Sequence, residues 1–531
     1  MKIIINILSS IILAMLLLCS CSNNDNILKD NAIKIGTAKV VVKLIDITNP
    51  PDTANLSDSI YFSKEFLSYL DTLDLKNVEI IAGSLPIFEY YNDEFISLKR
   101  INSADGNIVF KGELPMECLS QLCMVILTSD GTREGGTEVL LTQGEETIVE
   151  FILKDGQLQY TRILDPNQPT AKELWDIDMI MINQAGMHHP EFAPTDKSLY
   201  DVSWQAVRKN QYDSVWPRFI DSAVGEYVIP ESAEPWVMNN LKCRFAARSI
   251  CEYTRTAKIV TGKEYEEPPM EAYTYLDSID YSPNVFLMKT LIMSQRPFLS
   301  SLLKYAGGGF EAIGETPVKE WQEKLSEWLD PAMKERPKLL LDLLAGTSYY
   351  QQIEENQPLS DVQKKNIEEG FTDDIGKIVL KRNEKLEEAL SAKVNLQDLS
   401  EQTFALQEFI DKTYPGQPVV VDMWNTWCGP CLQAMAQTEE IKGDYEDTNL
   451  VFLYVSDTSS GLKEWENRAR MTGGEQVRIS EESKDGMMNK YSLEGFPSYL
   501  FFDRDHKLVH AQTAFPGLDR YRALLNQITG K

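Results

Sequence analysis

The spacing of apolar residues along the chain changes twice. Between Ala38 and Ile47 apolar residues are broken by Lys39, Lys43 and Asp46 at strand spacing. Further short apolar runs cover residues 78–82, 107–112, 123–128, 138–142 and 147–153, with turn residues between them: Asn49-Pro50-Pro51, Asp105-Gly106, Asp130-Gly131 and Gln143-Gly144. Successive strand side chains point to opposite faces, so such runs bury one face of a sheet. Short strands punctuated in this way predict a β-rich, sandwich-like domain over residues 33–165, an antiparallel sandwich or small barrel.

From about residue 166 to 395 the period becomes helical. Val318, Trp321, Leu325, Trp328 and Leu329 fall on one helical face after Pro317, a residue type that opens helices. A second helix is expected over 339–344 after Pro337, and others over 236–260 and 284–305, the last kinked or split by Pro297. Residues 375–392 read as a surface helix. The segment is predicted to be an all-α domain, with its tryptophans in the core. In the last quarter, Pro418 precedes a continuous apolar run over 419–423, expected to be a buried strand. It leads into Trp424-Asn425-Thr426-Trp427-Cys428-Gly429-Pro430-Cys431.

Composition narrows the function. The 531 residues carry 52 basic and 80 acidic side chains, a net charge of −28. Binding nucleic acid or an anionic lipid surface through charge needs clustered Lys and Arg, so both are disfavoured; a solvated acidic surface accounts for the excess. Hydrophobic content of 43% with 22 tyrosines fits a packed globular protein rather than a disordered one. The length implies about three domains.

The N-terminus reads as a targeting segment. Met1-Lys2 is a short basic start, and residues 3–18 are apolar except for Asn6, Ser9 and Ser10. The run falls short of the about 20 apolar residues of a membrane-spanning helix and fits a signal-peptide core ending at small residues. Leu18-Cys19-Ser20-Cys21 resembles a bacterial lipobox, in which the last cysteine is lipidated and becomes the first residue. Cys21, preceded by the small Ser20, is the candidate; Cys19 follows the bulkier Leu18. Residues 1–20 are therefore read as a lipoprotein signal peptide and 21–32 as a polar tether. An uncleaved anchor and an ordinary secretory signal are the alternatives. Each places the protein outside the cytoplasm. With Cys21 acylated it is lipid-anchored to a bacterial membrane, facing the periplasm, with the outer membrane as one location; several acyl chains hold stably where one does not.

Disulfides persist in that compartment, which gives the cysteines their interest. Cys428 and Cys431 enclose Gly-Pro just where a helix is expected to begin. The helix N-terminus favours negative charge on Cys428 sulfur. Gly429 leaves room for a partner disulfide, and Pro430 falls in the first turn, where its missing N–H costs little. Zinc would need a second ligand pair; His506 and His510 are the only candidates and lack the spacing, so no metal is expected. A purely structural disulfide is the other alternative. Asp422 sits among Val419, Val420, Val421 and Met423, where desolvation would raise its pKa and suit proton exchange with Cys431; the alternative is that it caps a turn or reaches water. For Cys118 and Cys123 a local disulfide and two buried thiols both stand. Cys243 and Cys251 lie about 12 Å apart along one expected helix, too far to pair. His188-His189 and Gly307-Gly308-Gly309 are read as loop or packing residues and as a C-cap with its turn.

With these residues in view, the last quarter resembles a thioredoxin fold, and in detail the TlpA/ResA-type membrane-tethered thiol–disulfide oxidoreductases. The resemblance rests on the strand followed by Trp-Cys-Gly-Pro-Cys, on Gly495-Phe496-Pro497-Ser498 before the apolar run 499–502, and on the long stretch with Trp465 between the strand at 450–455 and Tyr491. It implies a cis-proline loop at Phe496-Pro497 facing the cysteines. Trp427, Gly429, Pro430, Phe496 and Pro497 would then bind substrate, while Cys428, Cys431 and Asp422 would be catalytic. Two departures stand out. The glutamate and proline usual after the second cysteine are replaced by Ala434 and Ala436, and thioredoxin's lysine on the next strand aligns with Leu453 or Tyr454. More weakly, the β-rich and helical segments resemble regions that precede such domains in bacterial lipoproteins.

The expected architecture is thus an N-terminal β-rich sandwich-like domain, a central all-α domain over 166–395 and a C-terminal α/β thioredoxin fold over 396–531. The expected function is a membrane-anchored, extracytoplasmic reductase of protein or small-molecule disulfides. It would work through a Cys428–Cys431 redox disulfide without metal or organic cofactor, and would be recycled by a thiol reductant such as a membrane electron donor. Two alternatives are a binding lipoprotein whose upstream domains hold a partner, with the redox module secondary, and a disulfide oxidant or isomerase.

Overall fold

The computed structural model describes residues 33–47, 60–61, 78–84, 86–88, 95–102, 108–129, 132–165, 169–174, 176–177, 233–243, 246–247, 273, 276–288, 295–305, 310–391 and 394–531. The signal segment with Cys21, and His188, His189, Cys251, Gly307, Gly308 and Gly309, lie outside the described residues.

Among the described residues ten strands come first: β1 (Ile33–Asp46), β2 (Ile60–Tyr61), β3 (Val78–Ser84), β4 (Ile96–Ser97), β5 (Lys99–Asn102), β6 (Ile108–Cys118), β7 (Ser120–Ser129), β8 (Thr132–Thr142), β9 (Glu146–Lys154) and β10 (Gln157–Ile163). They form two sheets, ordered β2-β10-β9-β1-β6-β5 and β4-β3-β7-β8. All pairings are antiparallel except β1 with β9. Alternate residues Val40, Val42 and Leu44 of β1 meet Val78, Ile80 and Ala82 of β3 and Val125 and Leu127 of β7 in one buried core. This is the expected sandwich, with longer strands than the apolar runs suggest, because ladder hydrogen bonds carry Gly135, Gly136 and Glu138 into β8. Cys118 ends β6 and Cys123 lies in β7; both are buried thiols, not a disulfide, and burial pushes the Cys123 thiol well up.

Helices follow: α1 (Gln295–Tyr305), α2 (Val318–Leu329), α3 (Lys338–Glu354), α4 (Asp361–Gly370) and α5 (Ile375–Ser391). Pro317 and Pro337 are the N-cap residues of α2 and α3, and Ser360 with Gln363 forms a capping box on α4. Pro297 lies in the first turn of α1, and a short helix, Pro283–Phe286, precedes it, so the run expected over 284–305 is split. Trp321 is buried, with its indole N–H donating to Glu311 O at 3.1 Å. Trp328 packs edge-on against Tyr273 and Phe310. Cys243 is a buried thiol pushed up by desolvation.

The two regions share their interiors. Trp236, Val237 and Leu241 belong to the sandwich core, while Ile33, Ile87, Phe88 and Cys118 belong to the helical core. Phe88 stacks on Tyr350 of α3 with centroids 5.6 Å apart. Gly346, one turn earlier, makes that approach feasible, since a Cβ there would lie 2.6 Å from Phe88 Cζ.

The remaining residues form a third, six-stranded sheet, ordered β11-β14-β13-β12-β15-β16. Its strands are β11 (Asn395–Asp398), β12 (Val419–Met423), β13 (Val451–Asp457), β14 (Glu475–Ile479), β15 (Ser498–Phe502) and β16 (Leu508–Thr513). Helices α6 (Leu406–Thr413), α7 (Gly429–Lys442), α8 (Leu462–Thr472), α9 (Glu481–Tyr491) and α10 (Leu518–Thr529) cover both faces. Strand β12 is central, parallel to β13 and antiparallel to β15. Both its faces are covered, which is why its sequence is continuously apolar instead of alternating.

Helix α8 touches the helical region: Asn356 Nδ2 donates to Asn467 Oδ1 at 2.9 Å, Asn467 Nδ2 donates to Glu354 O at 3.1 Å, and Met471 packs on the helical core. Leu518 N at the start of α10 donates to Glu79 Oε1 of β3 at 3.0 Å. The Phe88 contact gives a direct check on docking of the upstream regions. Gly346→Ala is expected to destabilise the protein by about 1–3 kcal/mol through overpacking, read as a lower midpoint in chemical denaturation; an unchanged midpoint would mean that Phe88 is free to move aside.

Candidate active site

Strand β12 delivers the cysteines. Cys428 N donates to Asn425 O at 3.0 Å, and Cys428 is the N-cap residue of α7, with Cys431 N donating to its Sγ at 3.2 Å. The helix thus begins at Gly429, one residue beyond Cys428, and Pro430 occupies its first turn. Cys428 and Cys431 are joined as a disulfide with Cα atoms 5.3 Å apart. A thiol in a Cys-X-X-Cys motif at a helix N-terminus ionises at about 3.5–7.5, against about 8.5 for free cysteine, because unpaired amides and the helix dipole favour the thiolate.

The cysteines lie in a small apolar cluster with Trp424, Leu432, Met435, Tyr454, Trp465 and Ala469. Phe496 packs on this cluster, and the Phe496–Pro497 bond is cis. Trp427 is 59% exposed, and its ring meets Phe496 edge-on at 5.8 Å. Trp427, Phe496 and the Gly429–Pro430 turn are therefore brought around one dithiol, although Phe496 and Cys428 are far apart in sequence. Gly429 has open space where a Cβ would stand.

Asp422 lies on the same sheet face as Val420 and Trp424, the face covered by α7. It is 5% exposed. Desolvation pushes its pKa up to about 8, opposed by the positive charge of Lys442 and by the Tyr499 hydroxyl. It lies within β12 rather than at a turn. Tyr454, not Leu453, is its register partner on β13. Ala434 is buried in one cluster with Val420.

Sequence reasoning missed a second set of polar residues. Asn425 is fully buried; its Oδ1 accepts from Ser456 Oγ and Ser460 Oγ, each at 2.8 Å, and its Nδ2 donates to Asp457 Oδ2 at 3.0 Å. Ser460 Oγ accepts from Thr426 N at 2.9 Å, and Ser459 Oγ accepts from the Trp427 indole N–H at 2.9 Å. Arg478 Nε donates to Ser460 O at 3.1 Å while its Nη1 bonds Asp398. This network ties the approach to Cys428 to the loop after β13. The available signal was Asp457-Thr458-Ser459-Ser460-Gly461, turn chemistry at the end of a strand. Among the described residues no group of three or more His, Cys, Asp or Glu side chains could hold a metal ion. His506 instead bonds Asp411 and Tyr414 O.

Residues 416–508 match the family model described as Thioredoxin-like. Over 102 residues the chain is 52% identical to thioredoxin of Griffithsia pacifica, an overlap of 19% of this chain and 71% of that one. The chain belongs to the thioredoxin-like family. It is also similar to thiol-disulfide oxidoreductase ResA of Bacillus thuringiensis, 22% identical over 120 residues, which is 22% of this chain and 67% of ResA. Among solved structures it is similar to the thioredoxin domain of a thiol-disulfide oxidoreductase from Bacteroides vulgatus, at 18% identity and a TM-score of 0.20, covering 22% of this chain and 83% of that one. This thioredoxin-like protein is a dithiol–disulfide oxidoreductase, with Cys428 and Cys431 at disulfide distance.

The position of Asp422 has a consequence for stability. Its carboxyl ionises at its ordinary 3.8 when unfolded and is pushed up to about 8 when folded. The stability it permits is therefore complete below 3.8 and is lost as pH rises towards 8, by about 1.4 kcal/mol per pH unit. Asp422→Asn is expected to gain stability over the parent progressively between pH 4 and 8 and no further above 9, measured by urea denaturation; parallel pH curves for the two proteins would refute the burial of an ionisable carboxyl.

Proposed function

We propose that this thioredoxin-like protein is a lipid-anchored, extracytoplasmic reductase of disulfides in proteins or small molecules. The observation that carries the reading is the Cys428–Cys431 pair at the start of α7, beside exposed Trp427 and the Phe496–Pro497 loop. Cys428 thiolate attacks one sulfur of a substrate disulfide and expels the other as thiolate, leaving a mixed disulfide. Cys431 gives its proton to Asp422, attacks Cys428 sulfur and releases the second substrate thiolate. The substrate gains two electrons and the Cys428–Cys431 disulfide forms. A thiol reductant, such as a membrane electron donor, returns both electrons. Two sulfur atoms suffice, so no metal or organic cofactor takes part. Trp427, Gly429, Pro430, Phe496 and Pro497 line the face that receives substrate.

The site's own features support this reading. Cys431 is fully buried and Cys428 is nearly so, which suits an attacking thiol at the rim and a resolving thiol beneath it. Asp422 stands under α7 with a proton affinity near neutrality. Anchoring rests on the Leu18-Cys19-Ser20-Cys21 run. No helix among the described residues is long and apolar enough to cross a membrane. The acidic balance makes nucleic acid an unsuitable partner.

Insulin reduction with dithiothreitol by the form beginning at Ser22 tests the chemistry. Cys428→Ser should fall to the uncatalysed rate, and Cys431→Ser should stall as a mixed disulfide that gel electrophoresis without reductant retains; parental activity in Cys428→Ser rejects the mechanism. For the anchor, the full chain expressed in bacteria should incorporate labelled fatty acid and sediment with membranes, and Cys21→Ala should do neither. Equal labelling of the two rules out Cys21 as the lipidated residue.

A further inference from the structure

Asp422 stands in a row of polar side chains running across the sheet. Register pairs it with Tyr454 on β13 and with Tyr499 on β15, and beyond these lie Gln476 on β14 and Gln512 on β16. Residues paired across neighbouring strands share a sheet face, so the row lies on the side covered by α7. Asp422 Oδ1 and the Tyr499 hydroxyl are both buried, and neither has a well-formed hydrogen bond to another described residue; they face each other across β12 and β15. On the other side, Lys442 closes the last turn of α7, and its ammonium lies 5.3 Å from the centroid of the Tyr454 ring. Lys442 is fixed there by a hydrogen bond to Thr472 O at 3.0 Å and by an ion pair with Glu439. Its side chain is 18% exposed, so its charge is only partly screened by water.

We propose that Lys442 and Tyr499 are positioning residues for the proton exchange, Lys442 across the face of Tyr454 and Tyr499 from the opposite strand, together holding Asp422 in the carboxylate form that accepts the Cys431 proton. The inference rests on the role given to Asp422 above. The step moves one proton: Cys431 S–H and the Asp422 carboxylate become a thiolate and a carboxylic acid, with no change of oxidation state. The titratable and charged groups around Asp422 are Lys442 from α7 with its partner Glu439, Tyr454 from β13, Tyr499 from β15 and Tyr521 from α10; Cys431 of α7 lies in the apolar cluster that also holds Trp424 and Tyr454. Burial first, with negative charge on Asp422 adding to it, pushes all three tyrosines well up, so they are neutral donors. Glu439 is 64% exposed and spends its charge on water and Lys442. Among these groups Lys442 supplies the positive charge and Tyr499 the hydroxyl that favour the carboxylate. The strand position next to Asp422, filled by Tyr454, offers an aromatic face instead of a cation. The ammonium comes from the helix that also carries Cys431.

The test follows resolution of a preformed mixed disulfide by the full chain, in stopped flow, from pH 6 to 10. Lys442→Met and Tyr499→Phe should each move the midpoint of the rate profile upward by about 0.5–1 pH unit, an about three- to tenfold fall in ionised carboxyl at neutral pH. Lys442→Arg should restore the parental midpoint, and neither change should move the profile in the Asp422→Asn background. An Asp422→Asn profile identical to the parent overturns both the role of Asp422 and this inference. A profile altered by Asp422→Asn but unmoved by Lys442→Met or by Tyr499→Phe, or moved equally without Asp422, overturns this inference alone.

Discussion

Placing a carboxyl group inside an apolar strand is costly unless it stays neutral or finds a partner. Asp422 occupies that position at the centre of the sheet, enclosed by Val420, Trp424 and α7 on its face and by Tyr454 and Tyr499 on the adjacent strands. Much of the surrounding architecture is organised about this constraint. Strand β12 is central because both its faces need cover, and α7, which carries Cys431, covers the face on which Asp422 lies. Desolvation, opposed by Lys442 and Tyr499, pushes its pKa up to about 8.

The dithiol is held from two further sides. The Asn425 network fixes the four residues between β12 and Cys428, and orients Trp427 through Ser459. Helix α8 closes the base with Trp465 and Ala469. The outward face of that helix meets the helical region through Asn467 and Met471. One helix therefore contacts both the cysteines and the upstream chain, and α10 contacts β3 through Glu79. Since the sandwich and helical regions also share interior residues, the three parts of this chain are joined by side-chain contacts as well as by sequence.

The parts legible in the sequence share a physical basis: their information is local. Trp427 to Cys431 form one turn, so the spacing of the cysteines already specifies that they can bridge across a helix start. Pro317 and Pro337 open helices for reasons internal to a single turn. The apolar run of β12 announces burial on both faces. Gly495 to Ser498 likewise forms a single loop. By contrast, the thiol state of Cys118 and Cys123 depends on how β6 and β7 meet, and Trp236, in a helical run, ends in the sandwich core.

The sequence by itself determined the strand, the dithiol, the proline loop and the isolated carboxyl, because each is set by neighbours a few residues away. Only the tertiary structure decided which groups surround that carboxyl. Tyr454, Tyr499 and Lys442 come from three separate elements, and strand register and helix docking, which no short-range pattern encodes, bring them to one place. The same is true of the serines and Asp457 that hold Asn425. Proton affinity is a property of that assembled environment, so the chemistry could be named from the chain, but its tuning could be read only from the fold.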